Sequence, residues 1–226
     1  MKRFFRKRIS GESRRSFLKK FTAGVTAVFV SSSCSGDPED TIANLKVAIA
    51  CEINAAATYR AFSEKAREEG YRNLFNMFRA AAAAEDIHLK NHNDVLKKLC
   101  EPQYKPDAEP KPVYSTEENL QTAINGETQE YTVMYPGFLS KAKKEDCKPA
   151  VKSFTWANLA EENHASEFIE ALRILKESGS DDYLPSKWFV CPQCGGMFRI
   201  NSTKCLFCRA EDARQYFVLT EFDVNR

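Results

Sequence analysis

Ala84-Glu85-Asp86-Ile87-His88 and Ala160-Glu161-Glu162-Asn163-His164 are the stretches on which the fold turns. Each sets a carboxylate and an imidazole one helical turn apart, so both side chains leave the same face. One Glu-x-x-His is weak evidence, because a solvated surface pair has the same spacing. Here there are two, and together they use two of only three histidines in the chain. They also sit at matching points of a repeat. Tyr59, Phe62, Lys65, Ala66, Phe78 and Ala84 recur 76 residues on as Tyr135, Phe138, Lys141, Ala142, Phe154 and Ala160. Ala48, Ile49 and Glu52 recur at 75 as Ala123, Ile124 and Glu127. The repeat reads as a duplicated helical hairpin. Its one-residue shift, between Glu127 and Tyr135, predicts a π-bulge, a feature favoured at functional sites.

Four segments, 39–69, 71–99, 117–145 and 149–178, carry apolar residues at three- and four-residue spacing in a background of Ala, Leu, Glu, Lys and Arg. Gly70 and Pro149 punctuate tight connections, and Pro102 to Pro112, with four prolines, reads as an extended crossover. Two helical pairs joined by one long connection describe an all-α ferritin-like four-helix bundle. A Glu from each of two helices, Glu52 and Glu127, plus Glu-x-x-His from the other two is the di-iron or di-manganese arrangement of such cores. Burying these carboxylates would cost many kcal/mol without compensating cations. Ala83, Ala84 and Ala160 leave room beside them. The third histidine, His92, is expected at the surface or behind the ligands.

With Gly126-Glu127-Thr128-Gln129-Glu130 and Met134-Tyr135-Pro136 added, residues 39–226 resemble rubrerythrin. The resemblance implies two irons bridged by Glu85 and Glu161, with Glu52 and Glu127 terminal and His164 on the second iron. Glu130 would be the extra carboxylate typical of the family. On reduction the first iron would pass from Glu130 to His88, and Tyr59 and Tyr135 would stand close by. The implied activity is reduction of hydrogen peroxide to water, with Glu130, His88, Tyr59 and Tyr135 as catalytic residues. Alternatives at the same centre are ferroxidase or oxygen reduction, and, in another class, a non-catalytic iron-binding electron carrier.

From Tyr183 the composition shifts to aromatics, cysteines and glycine. Residues 186–226 are too few for a core of their own and need a staple. Cys191-x-x-Cys194 and Cys205-x-x-Cys208 supply it, as four thiolates suited to tetrahedral iron or zinc. Disulfides are the alternative in an exported protein. The position matches the rubredoxin-like domain of rubrerythrins, whose single iron relays electrons to the di-iron site. There this knob approaches a partner subunit's centre, so the resemblance implies a homodimer. The loop between the knuckles is shorter than is common, and Arg209 follows the last cysteine where a small residue is usual. Trp188, Phe189, Phe198 and Phe217 are expected to form the knob's core. Of the other cysteines, Cys51 reads as a small buried residue, while Cys100 and Cys147 read as free thiols or as a disulfide pair.

The N-terminal stretch follows different rules. Residues 1–33 carry nine Lys/Arg against one acid, and a short apolar run from Phe21 to Val30. That run is too short to span a bilayer, which takes about 20 residues. Ser13-Arg14-Arg15-Ser16-Phe17-Leu18-Lys19 resembles the twin-arginine export motif. Export of a folded protein to the periplasm or beyond the cytoplasm follows. The electron donor would then be an unidentified extracytoplasmic carrier. Cys34 stands where a lipoprotein carries its acylated cysteine, but Ser31 replaces the usual aliphatic residue, so lipid anchoring and simple cleavage both fit. Beyond this leader remain 24 basic and 30 acidic residues. That acidic balance argues against nucleic-acid binding, which rests on a Lys/Arg surface. The domain reading is 1–34 signal, 35–180 bundle and 181–226 knob.

Overall fold

The computed structural model describes residues 37–200 and 204–210, and the backbone of 217–219. All belong to one compact unit, Ser32–Arg226. The export motif and Cys34 lie outside the described residues. Helix α1 (Glu39–Glu68) and α2 (Arg72–Lys98) form the first hairpin. In the second, α3 (Thr116–Gln129), a π-helical turn (Glu130–Met134) and α4 (Tyr135–Lys144) make one rod that packs on α5 (Lys148–Ser178). The π-turn falls where the repeat gains its extra residue.

The duplication extends into the caps. Gly70 takes φ +88° past the end of α1, with Tyr71 N donating to Ala66 O at 2.8 Å. At the equivalent place after α4, Asp146 takes φ +47° and Cys147 N donates to Ala142 O at 2.9 Å. Both are Schellman endings. The first turns are capped reciprocally: Glu69 at the end of α1 accepts from Thr116 N of α3 (2.9 Å), and Glu145 after α4 accepts from Asp40 N and Thr41 N of α1 (3.1 and 2.9 Å). Each carboxylate satisfies orphan donors of the other hairpin's first helix.

Two aromatic clusters fill the bundle on either side of its centre, and they are copies. In one, the Tyr59–Phe62, Phe62–Phe78 and Tyr59–Phe78 ring centroids lie 6.3, 5.6 and 6.2 Å apart. In the other, Tyr135–Phe138, Phe138–Phe154 and Tyr135–Phe154 lie 6.1, 5.5 and 6.0 Å apart. Phe62, Phe78, Phe154 and Phe168 are fully buried, each contributing roughly 1.5–3 kcal/mol of hydrophobic stabilisation. The copies differ at one ring. Phe168 faces Tyr59 in the first, whereas its 76-residue counterpart His92 faces Tyr135 in the second.

Three short strands, β1 (Trp188–Val190), β2 (Met197–Phe198) and β3 (Phe217–Leu219), form an antiparallel sheet in the order β2-β1-β3. Alternation along β1 divides its side chains between two cores. Trp188 and Val190 enter the bundle cluster around Tyr59 and Phe78. Phe189 packs with Phe198, Phe207 and the four cysteines. The expected knob core is therefore corrected: Trp188 belongs to the bundle, while Phe207 and Trp156 of α5 join Phe189 and Phe198. The side chain of Phe217 lies outside the described residues. The link between bundle and knob is stitched to α2. Asp181 Oδ2 accepts from Asn73 N and Leu74 N (2.6 and 3.0 Å), capping that helix from a distance, and Asn76 Nδ2 donates to Ser186 O (2.9 Å).

Candidate metal centres

Between the aromatic clusters each rod of the bundle turns one carboxylate inward: Glu52 from α1, Glu85 from α2, Glu127 from α3 and Glu161 from α5, none more than 2% exposed. With the two buried histidines they make two donor groups, Glu52–Glu85–His88–Glu161 and Glu85–Glu127–Glu161–His164. In each, one ligand atom per residue lies within 4.8 Å of the others, and Glu85 and Glu161 belong to both. His88 Nδ1 is 2.9 Å from both Glu85 Oε2 and Glu161 Oε1, and His164 Nδ1 is 2.9 Å from Glu161 Oε2. The imidazoles stack with centroids 5.9 Å apart.

The electrostatics of this centre are unbalanced by protein groups alone. Burial, then Glu85 and Glu161, push Glu127 up to about 8. Burial and Glu161 raise Glu85 as well. Glu52 and Glu161 are held low, because the neighbouring histidines outweigh a large opposing burial effect. Against that same opposing effect, the carboxylates raise His88 and His164 well above the usual imidazole range. Several atoms still lack any hydrogen bond: Glu52 Oε2, Glu85 Oε1, both oxygens of Glu161 and His164 Nδ1. Orphaned buried oxygens and an imidazole nitrogen converging from two sides fit a pair of hard-to-borderline transition-metal cations.

The outer face of each imidazole is fixed by the knob of the same chain. His88 Nε2 donates to Cys194 O (2.9 Å) and His164 Nε2 to Gly195 O (3.2 Å). A carbonyl only accepts, so both Nε2 atoms carry hydrogen, which leaves Nδ1 of each ring as the atom that faces the carboxylates and would bind a cation once deprotonated. Gly195, at φ +80°, is required twice over, since a Cβ there would stand 2.3 Å from His88 Nε2. The resemblance sets a knob over the partner's centre; here the knob lies over its own. Asn91 Nδ2 to Gln193 O (2.8 Å), Met197 N to Asn163 Oδ1 (2.8 Å) and the Arg199–Glu167 ion pair (2.6 Å) hold it there.

Glu130 stands outside both donor groups. It is half-buried in the π-turn and lines a cavity of about 520 Å³. Burial and the carboxylates of Glu52, Glu161, Glu127 and Glu85 drive its pKa far upward. Tyr59 Oη donates to Glu127 and Tyr135 Oη to Glu52. Of the two places expected for His92, the surface and behind the ligands, the structure has the second, with the ring fully buried. Ser153 Oγ donates to its Nδ1 (2.9 Å), and its Nε2 donates to Tyr135 Oη (3.1 Å), continuing the line to Glu52. The signal was available in the repeat, as a polar residue at the register of Phe168.

Around the second candidate centre, Cys191, Cys194, Cys205 and Cys208 converge as free thiols, with Sγ–Sγ separations of 3.8 Å (Cys191–Cys208) and 3.6 Å (Cys194–Cys205). A disulfide needs about 2.05 Å, so the disulfide alternative is set aside. Mutual hydrogen bonding lowers Cys191 to about 7 and Cys205 further, and raises Cys194 and Cys208. Four sulfurs sharing too few protons fit one tetrahedral cation. Arg209 adopts φ +63°, the position of Gly195 in the second knuckle, but is exposed and tolerates a side chain. Cys51 is half-buried in the wall of the cavity. Cys100 is a free, exposed thiol, which excludes the Cys100–Cys147 pair; Cys147 is fully buried and is not free.

A four-helix bundle whose two donor groups share two glutamates is a ferritin-like di-metal carboxylate protein. The solved bacterioferritin BfrA of Mycobacterium tuberculosis agrees at the level of fold, with a TM-score of 0.58 at 16% identity over 63% of this chain and 89% of that one. The Rubrerythrin family model matches residues 43–172, and the chain belongs to that family. Nigerythrin of Nitratidesulfovibrio vulgaris is 39% identical over 170 residues, 74% of this chain and 81% of that protein. Rubrerythrin-2 of Clostridium acetobutylicum is 36% identical over 154 residues, covering 67% and 81%. The fully reduced, all-ferrous structure of nigerythrin superposes with a TM-score of 0.71 at 37% identity, covering 79% of this chain and 86% of that one. The chain is thus a di-iron protein of an oxidoreductase family, with a rubredoxin-like iron centre in its four-cysteine knob.

Proposed function

We propose that the protein is a peroxidase that reduces hydrogen peroxide to two waters. The observation that carries this reading is the pair of donor groups sharing Glu85 and Glu161, joined through His88 to the carbonyl of a four-thiolate knuckle. Glu52, Glu85, Glu127 and Glu161, with His88 and His164 and with Glu130 as a further carboxylate, would hold two irons, Glu85 and Glu161 being common to both donor groups. When bound, the reduced pair supplies two electrons together, so the O–O bond is cleaved without releasing a hydroxyl radical. The polypeptide handles protons and orientation. Glu130, its pKa pushed upward by burial and the neighbouring carboxylates, is the proton carrier at the cavity edge. Tyr59 and Tyr135 hold protons on Glu127 and Glu52. The flanking aromatic clusters close the bundle on either side of the centre, and the cavity lined by Tyr59 and Glu130 is the side from which protons and oxidant arrive.

The same reading includes an electron relay from Cys191, Cys194, Cys205 and Cys208 with one iron, and domain limits near residues 34 and 180. It also includes a homodimer, and export by the twin-arginine route with Cys34 as an optional lipid anchor. Among the described residues no helix is long and apolar enough to cross a membrane. Anaerobic titration of the fully reduced protein with hydrogen peroxide tests the function. The expected result is fast oxidation consuming one peroxide per two electrons, with much slower reaction toward oxygen. Faster oxidation by oxygen than by peroxide would overturn it in favour of an oxygen reductase or ferroxidase. For export, Arg14→Lys/Arg15→Lys should retain the protein in the cytoplasm, read by fractionation.

A further inference from the structure

The space beside the donor groups is far larger than hydrogen peroxide requires. The cavity between α1 and α3 measures about 520 Å³. Two waters' share of liquid volume, ~60 Å³, is the room a peroxide molecule takes, whereas pockets of roughly 300–1,000 Å³ hold whole organic ligands. Its buried lining is Thr58, whose hydroxyl is taken up by Lys111 N, with Tyr59, Phe62 and Ala123, and half-buried Ala55 beside them. Those surfaces offer contact to an apolar body.

Two features indicate that the space is built rather than left over. The crossover is pinned along α1 by two side chains of the cavity wall: Asn54 Oδ1 accepts from Glu109 N (2.6 Å) and Thr58 Oγ1 from Lys111 N (2.9 Å). Lys111 thereby stands at the rim. Within α3, Gly126 occupies a helical position where glycine costs about 1 kcal/mol relative to alanine. A Cβ there would meet nothing within 4 Å, so packing does not demand the glycine, and this exposed position in the cavity wall has room for a larger side chain. Glu130 and Tyr59 line the same cavity on the side of the donor groups, Tyr59 through its bond to Glu127.

We infer that this cavity binds organic hydroperoxides with an apolar body of aryl-alkyl size, their –OOH end directed to Glu130 and Tyr59. The inference rests on the peroxidase reading and widens its substrate class. The balance is ROOH + 2 e⁻ + 2 H⁺ → ROH + H₂O. The O–O bond breaks, both electrons come from the reduced metal pair, one proton goes to the alkoxide oxygen and the other to the departing hydroxide.

Cys51, in the cavity wall, is a native reporter of occupancy, and exposed Cys100 is its internal control. The first measurement is N-ethylmaleimide labelling of the full-length, metal-loaded protein, read by peptide mass mapping with and without cumyl alcohol, the product of cumene hydroperoxide. Saturating alcohol should slow labelling of Cys51 about ten-fold, equivalent to ~1.4 kcal/mol, and leave Cys100 unchanged. In the second, Gly126→Phe should lower the ratio of kcat/KM for cumene hydroperoxide to that for hydrogen peroxide by a similar factor. Labelling of Cys51 that ignores the alcohol, or a ratio that Gly126→Phe leaves unmoved, overturns the inference. Protection of Cys51 without turnover of either peroxide would remove the peroxidase reading and leave the ligand class standing. Turnover of hydrogen peroxide with Cys51 unprotected would do the reverse.

Discussion

His92 and Phe168 occupy the same place in the two halves of the bundle, and the difference between them breaks the symmetry of the centre. Tyr59 has an aromatic neighbour and one hydrogen bond, to Glu127. Tyr135 has Glu52 on one side and the His92–Ser153 pair on the other. His92→Phe would install the ring already accommodated at the mirrored position, so the fold should survive. The hydroxyls of Tyr135 and Ser153 would each lose a partner, and an unsatisfied buried polar group costs about 1–3 kcal/mol. The melting midpoint should therefore fall, and His92→Phe/Ser153→Ala should recover part of the loss, as coupled sites do not add. Peroxide turnover should fall in the single variant. A double variant no more stable than His92→Phe would refute the network.

Among the elements, the π-turn and the knob position the chemistry. Deleting exposed Thr132 would restore regular α-helical spacing through Glu130–Met134 and rotate everything beyond it by about 100°. Tyr135 would leave Glu52, and α4 would present a different face to α5. Elemental analysis should then show loss of the bundle irons with the four-cysteine iron retained. Gly195→Ala tests the knob, because its Cβ would strike His88. Losing the carbonyl contacts to His88 and His164 should weaken bundle metal affinity by about 10–100-fold, the usual effect of removing a group that orients a ligand. Four-cysteine metal content should hold, since no ligand changes. Much of this architecture was legible in the chain itself. The repeat, the paired Glu-x-x-His and its one-residue slip predicted four rods, a shared pocket and a π-bulge between Glu127 and Tyr135, found at Glu130–Met134. Trp188 and the carbonyls of Cys194 and Gly195 were not legible. Their roles depend on how the knob folds back onto α2 and α5, and residues like Asp181 that fix this act through backbone N–H groups. Such groups carry no signature in the sequence.

For the molecule as a whole, the centre ties stability to pH, with a sign that depends on metal. A carboxyl whose pKa in the fold exceeds its unfolded value stabilises the fold in its protonated form. Glu127 contributes fully below its ordinary 4.5 and loses that contribution as pH rises through about 8. Glu85 and Glu130 are displaced in the same direction. His88 and His164, also raised, likewise lose stabilisation as pH climbs through their folded values. Glu52 and Glu161 are lowered, so they stabilise above the ordinary carboxylate range and fail only in acid. Between about pH 5 and about pH 8 the raised groups dominate, and chelator-treated protein should melt at steadily lower temperature. With cations bound, neutralising charge no longer comes from protons. Metal binding competes with protonation and strengthens as pH rises. The iron-loaded and metal-free melting curves, followed by circular dichroism, should therefore diverge with increasing pH. Parallel curves across that range would mean that the acidic cluster is neutralised by something other than the metals it is shaped to hold.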